Sequence, residues 1–335
     1  MLIAQLVVGF NQQHFITALL SVKEHLLQQN QLSVTDLAEE IPIHIFETLP
    51  STNQTLWQLI NQGATIPTLV IAERQTAGKG QWGRFWQSEP GGLYLSVALA
   101  PHLPASDFAQ LTMCSAWGIA TALRSYNLPV LLKWPNDLLL AGRKLGGILT
   151  ETRVQQGQIN KAVVGVGINW SNHIPESGIN LQYFYENLAF QNPYLLQDRK
   201  GSLTIKGIFK EQATENFLPK IKNAQNSQKS LTPEITSLEG LAAIVAQGLL
   251  SGYQSWRKKG VERLLASYLE LLDSLGRRII FDDQPGIITG VTSTGDLKVS
   301  LLSKEVVEPN ILQGQELEEV YLRPGTKDLS IDATA

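Results

Sequence analysis

The stretch GKGQWGRFW, residues 78–86, sets three glycines, Gly78, Gly80 and Gly83, among two cations, Lys79 and Arg84. Glycines at this spacing let a backbone turn tightly and approach a ligand closely, with N–H groups free to meet oxygen atoms. The added positive charge makes an anion the fitting ligand. The pattern reads GxGxxG, yet Phe85, Trp86 and a Pro90-Gly91-Gly92 turn follow it instead of a helix, so it is neither a P-loop nor a dinucleotide fingerprint. On spacing alone, a structural turn explains it better.

A second group is KWPND, residues 133–137, followed closely by GRKLGGILTE, residues 142–151. Pro135 stiffens a turn at whose tip Asn136 and Asp137 can offer oxygen ligands, the donors a magnesium ion escorting a triphosphate requires. If residues 138–140 and 144–148 pair as a hairpin, Lys133, Asp137 and Lys144 share one cleft. Taken singly, a turn and a solvated lysine account for these residues. Gly146 and Gly147 argue otherwise, because adjacent glycines in a strand mark close approach of a ligand or another backbone. GVGIN, residues 165–169, is a glycine-rich strand end that would let Asn169 offer an amide to a base. Ser51, Thr52 and Asn53 stand where a helix begins, and seen alone they are an ordinary cap.

The elements that must position these groups follow from periodicity. Strands are expected at 43–46, 69–72, 93–99, 130–133, 138–140, 144–150 and 162–168, with Ala141-Gly142 as a hairpin turn. Helices are expected at 14–29, near 53–61 and around 106–126, with a further short helix after Ser33 or Thr35. Two more are expected at 237–257 and 261–272. Strand runs with hairpins and irregularly placed helices favour an α+β fold whose mixed sheet is covered on one face. Short strands at 277–281, 286–292 and 297–302, parted by residues 282–285 and 294–296, form a small barrel-like unit. The organisation is then a helical segment 1–42, a main domain 43–272, a C-terminal domain 273–325 and a tail 326–335. Within the main domain, residues 191–233 are rich in Asn, Gln, Lys and Ser and read as a mobile insertion.

Composition narrows the partners. Twenty-seven basic against thirty acidic residues give a net charge of -3, so nothing global attracts nucleic acid or anionic lipid, and any anion site is local. Residues 1–45 hold one lysine, Lys23, and four acids, a poor surface for DNA despite two short helices that could open a winged helix-turn-helix. The single cysteine, Cys114, lies in an apolar run with no neighbouring base, as a buried small hydrophobe does. One cysteine, no secretory leader pattern at residues 1–10 and no apolar stretch near ~20 residues favour a cytoplasmic protein outside the membrane.

In this order, STNQ at 51–54, the glycine-broken loop with Arg84 and Trp86, KWPND and RKLGGIL resemble the biotin protein ligases, of the monofunctional type without a complete DNA-binding domain. The resemblance runs over about 43–169 and continues through GYQSW and the last strands. It implies a catalytic sheet related to class II aminoacyl-tRNA synthetases and an SH3-like C-terminal domain. It implies ATP-dependent activation of biotin as biotinyl-5′-AMP, with pyrophosphate released, then transfer to a lysine of the biotin carboxyl carrier protein of acetyl-CoA carboxylase. By the same resemblance, Ser51, Thr52, Asn53, Gln75, Lys79, Gly80, Gln81, Lys144 and Gly147 bind biotin. Arg84, Trp86, Lys133, Asn136 and Asn169 bind ATP or the adenylate. Lys144, Lys79, Arg84 and Asp137 carry the chemistry, with Asp137 as the magnesium ligand.

Chemistry of that kind sets a carboxylate against a polyanion, so cations must come first. At ~4 Å and an effective dielectric of ~20, each repulsion is about 4 kcal/mol. None of the five histidines falls in these motifs, so no histidine base is expected. The sequence departs from the family in the loop, where Lys79 and Gln81 replace two arginines. Lysine keeps the charge without the bidentate fork, and glutamine keeps neither. Trp82 packing is the expected substitute for that grip. A lipoate or octanoate ligase remains the alternative within the same chemistry, and a biotin-responsive DNA-binding repressor is the disfavoured alternative outside it.

Overall fold

The computed structural model describes residues 9–29, 32, 41–191, 235–302, 318–326 and 329–331. Thirteen strands, β1–β13, and five helices, α1–α5, are placed among them. The short helix expected after Ser33 or Thr35 and the polar stretch 192–233 lie outside the described residues.

The main sheet runs β1 (Ile43–Leu49), β2 (Leu69–Gln75), β3 (Gly92–Leu99), β8 (Gln158–Asn169), β7 (Arg143–Gln155), β6 (Asp137–Leu140), β5 (Leu131–Lys133), with β4 (Leu103–Pro104) beside β8. Only β1 and β2 are parallel; the other pairs are antiparallel. The fold is α+β with a mixed sheet. Ala141 and Gly142 take φ of 50° and 72°, the left-handed pair of a two-residue hairpin turn.

Strand periodicity divides the sheet's two faces. Ile71, Leu95, Val97, Val164 and Val166 join the large core under α3 (Ala109–Ser125) and α5 (Leu238–Leu269). Val70, Ala72, Ala98 and Val163 alternate with them and pack with Leu56 and Ile60 of α2 (Thr52–Asn61) in a second core. The sheet is therefore covered on both faces, fully by α3 and α5 and in part by α2, which corrects the one-sided expectation. Gly118 lets α3 and α5 cross closely, since a Cβ there would lie 2.2 Å from the Gly248 carbonyl. Gly260, at φ 79°, breaks α5 where two helices were expected. Helix α1 (Gln12–Gln29) buries Phe15, Leu19, Val22 and Leu26 and packs on α5. Helix α4 (Leu181–Gln191) was not anticipated.

The C-terminal sheet is antiparallel in the order β12 (Glu318–Leu322), β11 (Leu297–Leu301), β10 (Gln284–Val291), β9 (Arg278–Phe281), β13 (Leu329–Ile331). Among the described residues it is open, because β12 and β13 do not pair, so the expected barrel closure is not seen there. Its first turn is only Asp282-Asp283, both at positive φ; Gln284 and Pro285 already belong to β10. Hydrogen bonds tie this region and the segment just after α5 to β5 and the turn that follows it. Leu132 of β5 donates its N–H to the Leu271 carbonyl and accepts from the Asp273 N–H. Trp134 donates its indole N–H to the Gly295 carbonyl at 2.9 Å.

Candidate active site

Strands β7 and β8 turn Gly147, Gly165 and Gly167 toward the α2 face, with Gly147 opposite Gly167 and Leu149 opposite Gly165. Without side chains there, other groups lie directly on the sheet. A Cβ on Gly165 would sit 2.2 Å from Asn53 Oδ1, and one on Gly167 2.5 Å from Trp86 Nε1. Above this bare floor opens a cleft of about 1030 Å³. Every residue named from the sequence lines it: Ser51, Thr52, Asn53, Gln75, Lys79, Gly80, Gln81, Arg84, Trp86, Lys133, Asn136, Asp137, Lys144, Gly147 and Asn169. Among the described lining residues Lys79, Arg84, Lys133 and Lys144 stand with one carboxylate, Asp137, so the cleft carries a local positive charge that the net charge does not reveal.

One end of the cleft is polar and buried. Ser51 occupies the N-cap position of α2 but makes no capping bond, so the ordinary-cap reading fails there. Gln75 Oε1 accepts from the Thr52 N–H at 2.8 Å and from the Thr52 hydroxyl at 3.2 Å, while its Nε2 donates to Ser88 at 2.8 Å. The Ser96 hydroxyl bridges Thr52 Oγ1 at 2.7 Å and Asn53 Oδ1 at 2.6 Å. Asn53 Nδ2 donates to the Leu149 carbonyl and to Glu151 Oε2. Ser88, Ser96 and Glu151 were not singled out from the sequence. Each is an isolated polar residue in a strand or loop, and only the folded pairing shows its partner.

The glycine loop folds as a small hairpin around a 3-10 turn at Gln81–Gly83. Gly80 N–H donates to the Arg84 carbonyl, Arg84 N–H to Gln81, and Trp86 N–H to Gly78. Of the loop's backbone N–H groups, expected to be free to meet oxygen atoms, these three are satisfied inside the loop. Lys79 and Arg84 are exposed, and Gln81 is half-buried. Trp82, at φ 60° and ψ 32°, is 64 % exposed and rests against Gly325 of the C-terminal region. In this structure its packing partner is that turn.

At the other end, Lys144 Nζ lies 2.6 Å from Asp137 Oδ1 and 5.4 Å from the centre of the Trp86 ring. Burial, and secondarily the Asp137 charge, push the Tyr268 hydroxyl up from its usual value. Two expected ligand groups are occupied within the protein. Asn136 Nδ2 donates to the Ile148 carbonyl at 2.8 Å, bracing the turn. Asn169 donates to the Ile179 and Lys144 carbonyls and accepts from Asn172, so its amide holds residues 170–180 instead of standing free for a base. That segment, overlooked because it has neither strand nor helix period, forms a wall of the cleft through His173, Pro175, Ser177 and Gly178. A histidine therefore does border the cleft, outside the motifs. The Cys114 thiol is fully buried and pushed up to about 12 by desolvation, which removes it as a nucleophile.

With this geometry in view, residues 45–169 match the biotin/lipoate A/B protein ligase family. The chain is 37% identical over 125 residues to the bifunctional ligase/repressor BirA of Bacillus subtilis, covering 37% of this chain and 38% of that protein. It is 35% identical over 130 residues to the biotin--[acetyl-CoA-carboxylase] ligase of Mycobacterium tuberculosis, covering 36% and 46%. The matched part thus spans less than half of these curated relatives. Beyond the matched residues the likeness is one of fold. The biotin protein ligase of Aquifex aeolicus in complex with biotin and ATP superposes with a TM-score of 0.54 at 19% identity, over 86% of this chain and 97% of that one.

Proposed function

We propose that the chain is an ATP-dependent biotin protein ligase. It activates biotin as biotinyl-5′-AMP and transfers it to a lysine of the biotin carboxyl carrier protein of acetyl-CoA carboxylase. The observation that carries this reading is the hydrogen-bonding capacity left at the buried end of the cleft. Asn53 has both N–H groups engaged, so it can only accept; Gln75 has one N–H engaged by Ser88 and keeps the other to donate. Ser51 keeps its hydroxyl for either role among the described residues. A ring carrying N–H donors beside a carbonyl, as in the ureido ring of biotin, satisfies this set. The dithiolane of lipoate or the methyl end of octanoate would leave it unpaired, at a cost of about 1–3 kcal/mol for each buried group.

The carboxylate of the acid attacks the α-phosphorus of ATP. A new oxygen–phosphorus bond forms, and the bond to the departing pyrophosphate breaks. Lys144, Arg84, Lys79 and Lys133 offset the charge that the two anions bring together, and the cleft holds the reactants in line. The Lys144 pairing with Asp137 keeps the ammonium in place before substrates arrive. In the second step the neutral amine of the carrier lysine attacks the acyl carbon, AMP leaves, and the amine proton passes to solvent.

No group of three His, Cys, Asp or Glu side chains that could hold a metal exists among the described residues. One carboxylate, Asp137, suits a magnesium ion that arrives with the triphosphate and keeps most of its ligands from phosphate and water. When bound, that ion supplies further neutralisation of the phosphate charge. No described helix is long and apolar enough to cross a membrane. We place the activity in the cytoplasm, where ATP and the carrier occur. Helix α1 is spent on the core against α5, which supports the ligase reading over the repressor.

The test is to incubate the protein with ATP, magnesium, biotin and a carrier domain, and to weigh the carrier by mass spectrometry. A mass gain of one biotin on the acceptor lysine is expected, with pyrophosphate released for biotin and not for lipoate or octanoate. Pyrophosphate release with lipoate or octanoate alone would overturn the proposal.

A further inference from the structure

We propose that Glu151 is a positioning residue that sets which way the Asn53 amide faces and so makes the cleft selective for an acid bearing ring N–H groups. The inference rests on the biotin reading above and adds to it a residue that does not line the cleft.

Glu151 stands on β7 opposite Val163, on the α2 side of the sheet. Its Oε2 accepts from Asn53 Nδ2 at 3.0 Å and from the indole N–H of Trp57 at 3.2 Å. Trp57 is one helical turn after Asn53 on α2, so the same carboxylate oxygen clasps two residues on one face of that helix. The second Asn53 hydrogen goes to the Leu149 carbonyl at 3.3 Å. A carboxylate and a carbonyl can only accept, so the Asn53 atom facing them must be nitrogen. The atom on the other side, which receives the Ser96 hydroxyl at 2.6 Å, is therefore Oδ1.

This fixes the polarity of the cleft. Without Glu151, the leftover partners of Asn53 are one carbonyl and one hydroxyl. A hydroxyl donates or accepts as required, so it does not resist a flip of the amide. The flipped amide would present N–H toward a ligand N–H, and that ligand would bind without its acceptor. The charge-assisted bond to Glu151 is the stronger of the two interactions that separate the orientations, the other being the longer bond to the Leu149 carbonyl, because a flip would aim Oδ1 at a carboxylate. Gly165 cooperates, since any side chain there would occupy the place of Oδ1.

Three variants test this in the intact protein by pyrophosphate release. Glu151→Leu removes the acceptor and is expected to raise the KM for biotin about tenfold, the worth of one lost hydrogen bond to a charged group, with KM for ATP and kcat at saturating biotin held within about twofold. Glu151→Gln keeps an acceptor oxygen and should restore KM to within about threefold. Asn53→Ala raises KM by itself, and adding Glu151→Leu to it should change KM no further, because Glu151 acts through Asn53. An unchanged biotin KM in Glu151→Leu, or a second multiplicative loss in the double variant, overturns the inference while leaving the ligase reading intact. Should Glu151→Leu not fold, Glu151→Gln decides, and a tenfold KM increase there overturns it. Absence of biotin turnover by the natural protein overturns the ligase reading and this inference together.

Discussion

Gly167→Ala isolates one wall of the cleft. The added methyl would lie 2.5 Å from Trp86 Nε1, 2.6 Å from Cε2 and 2.9 Å from Cζ2. Ordinary contact begins near 3.4 Å, so the indole must retreat by about 0.9 Å into the cleft. No hydrogen bond opposes this, because Trp86 Nε1 is buried without a partner among the described residues. The methyl also improves the strand's own propensity. The stability cost should therefore fall at the low end of the ~1–3 kcal/mol usual for overpacking. The site suffers more, because Trp86 stands 5.4 Å from Lys144 and a shift of ~1 Å in a reacting assembly costs about 100-fold. Biotin-dependent pyrophosphate release is expected to show kcat/KM for ATP reduced ~100-fold with the thermal midpoint nearly unchanged. Gly290→Ala, whose methyl would meet only Lys298 Cδ at 3.7 Å and Leu269 Cδ1 at 4.0 Å, serves as the control. If Gly167→Ala retained kcat/KM within threefold of natural protein, the placement of Trp86 against the reacting groups would be refuted.

Three further outcomes follow from the same contacts. Lys144→Ala should lower pyrophosphate release ~100- to 1000-fold, while Lys144→Arg recovers part of it, and stability should move by less than about 1 kcal/mol because the pair with Asp137 is partly exposed. Asn172→Ala removes donors to Asn169 Oδ1 and the His173 carbonyl and the acceptor of the Trp170 N–H; a urea titration should show a loss of about 2 kcal/mol and loosening of the cleft wall. Alkali should unfold the protein. Burial raises the pKa of Tyr126 and of Cys114 to about 12 and also raises those of Tyr94 and Tyr268, so the folded state keeps protons that the unfolded chain releases. Their contribution is complete below about pH 9–10 and lost as pH rises toward 12, and tyrosinate absorbance should appear together with loss of helix signal.

The strands and the hairpin at Ala141-Gly142 were legible in the sequence because period-two alternation and a two-residue turn are local properties. The gathering of Ser51–Asn53, Gln75, Lys144 and Gly147 into one cleft was reached through motif order, which local chemistry alone could not supply. What stayed hidden depends on pairing at long range. Glu151 reads as the polar end of a strand until Asn53 and Trp57, more than ninety positions earlier, are brought beside it. Asn169 reads as a free amide until residues 170–180 fold back over it. The sheet's second covered face was missed because α2 is short and its apolar positions serve a small core.

The hydrogen bonds that Leu132 makes to residues 271 and 273 have a practical consequence for anyone who would shorten this chain. A fragment cut to the matched span, 45–169, would leave β5 as a bare border, with a backbone N–H and carbonyl open to solvent in the middle of an apolar strand. Such a border recruits strands from other molecules, so the excised piece should aggregate instead of staying monomeric. The unit that folds and the unit that is recognised by likeness are of different lengths.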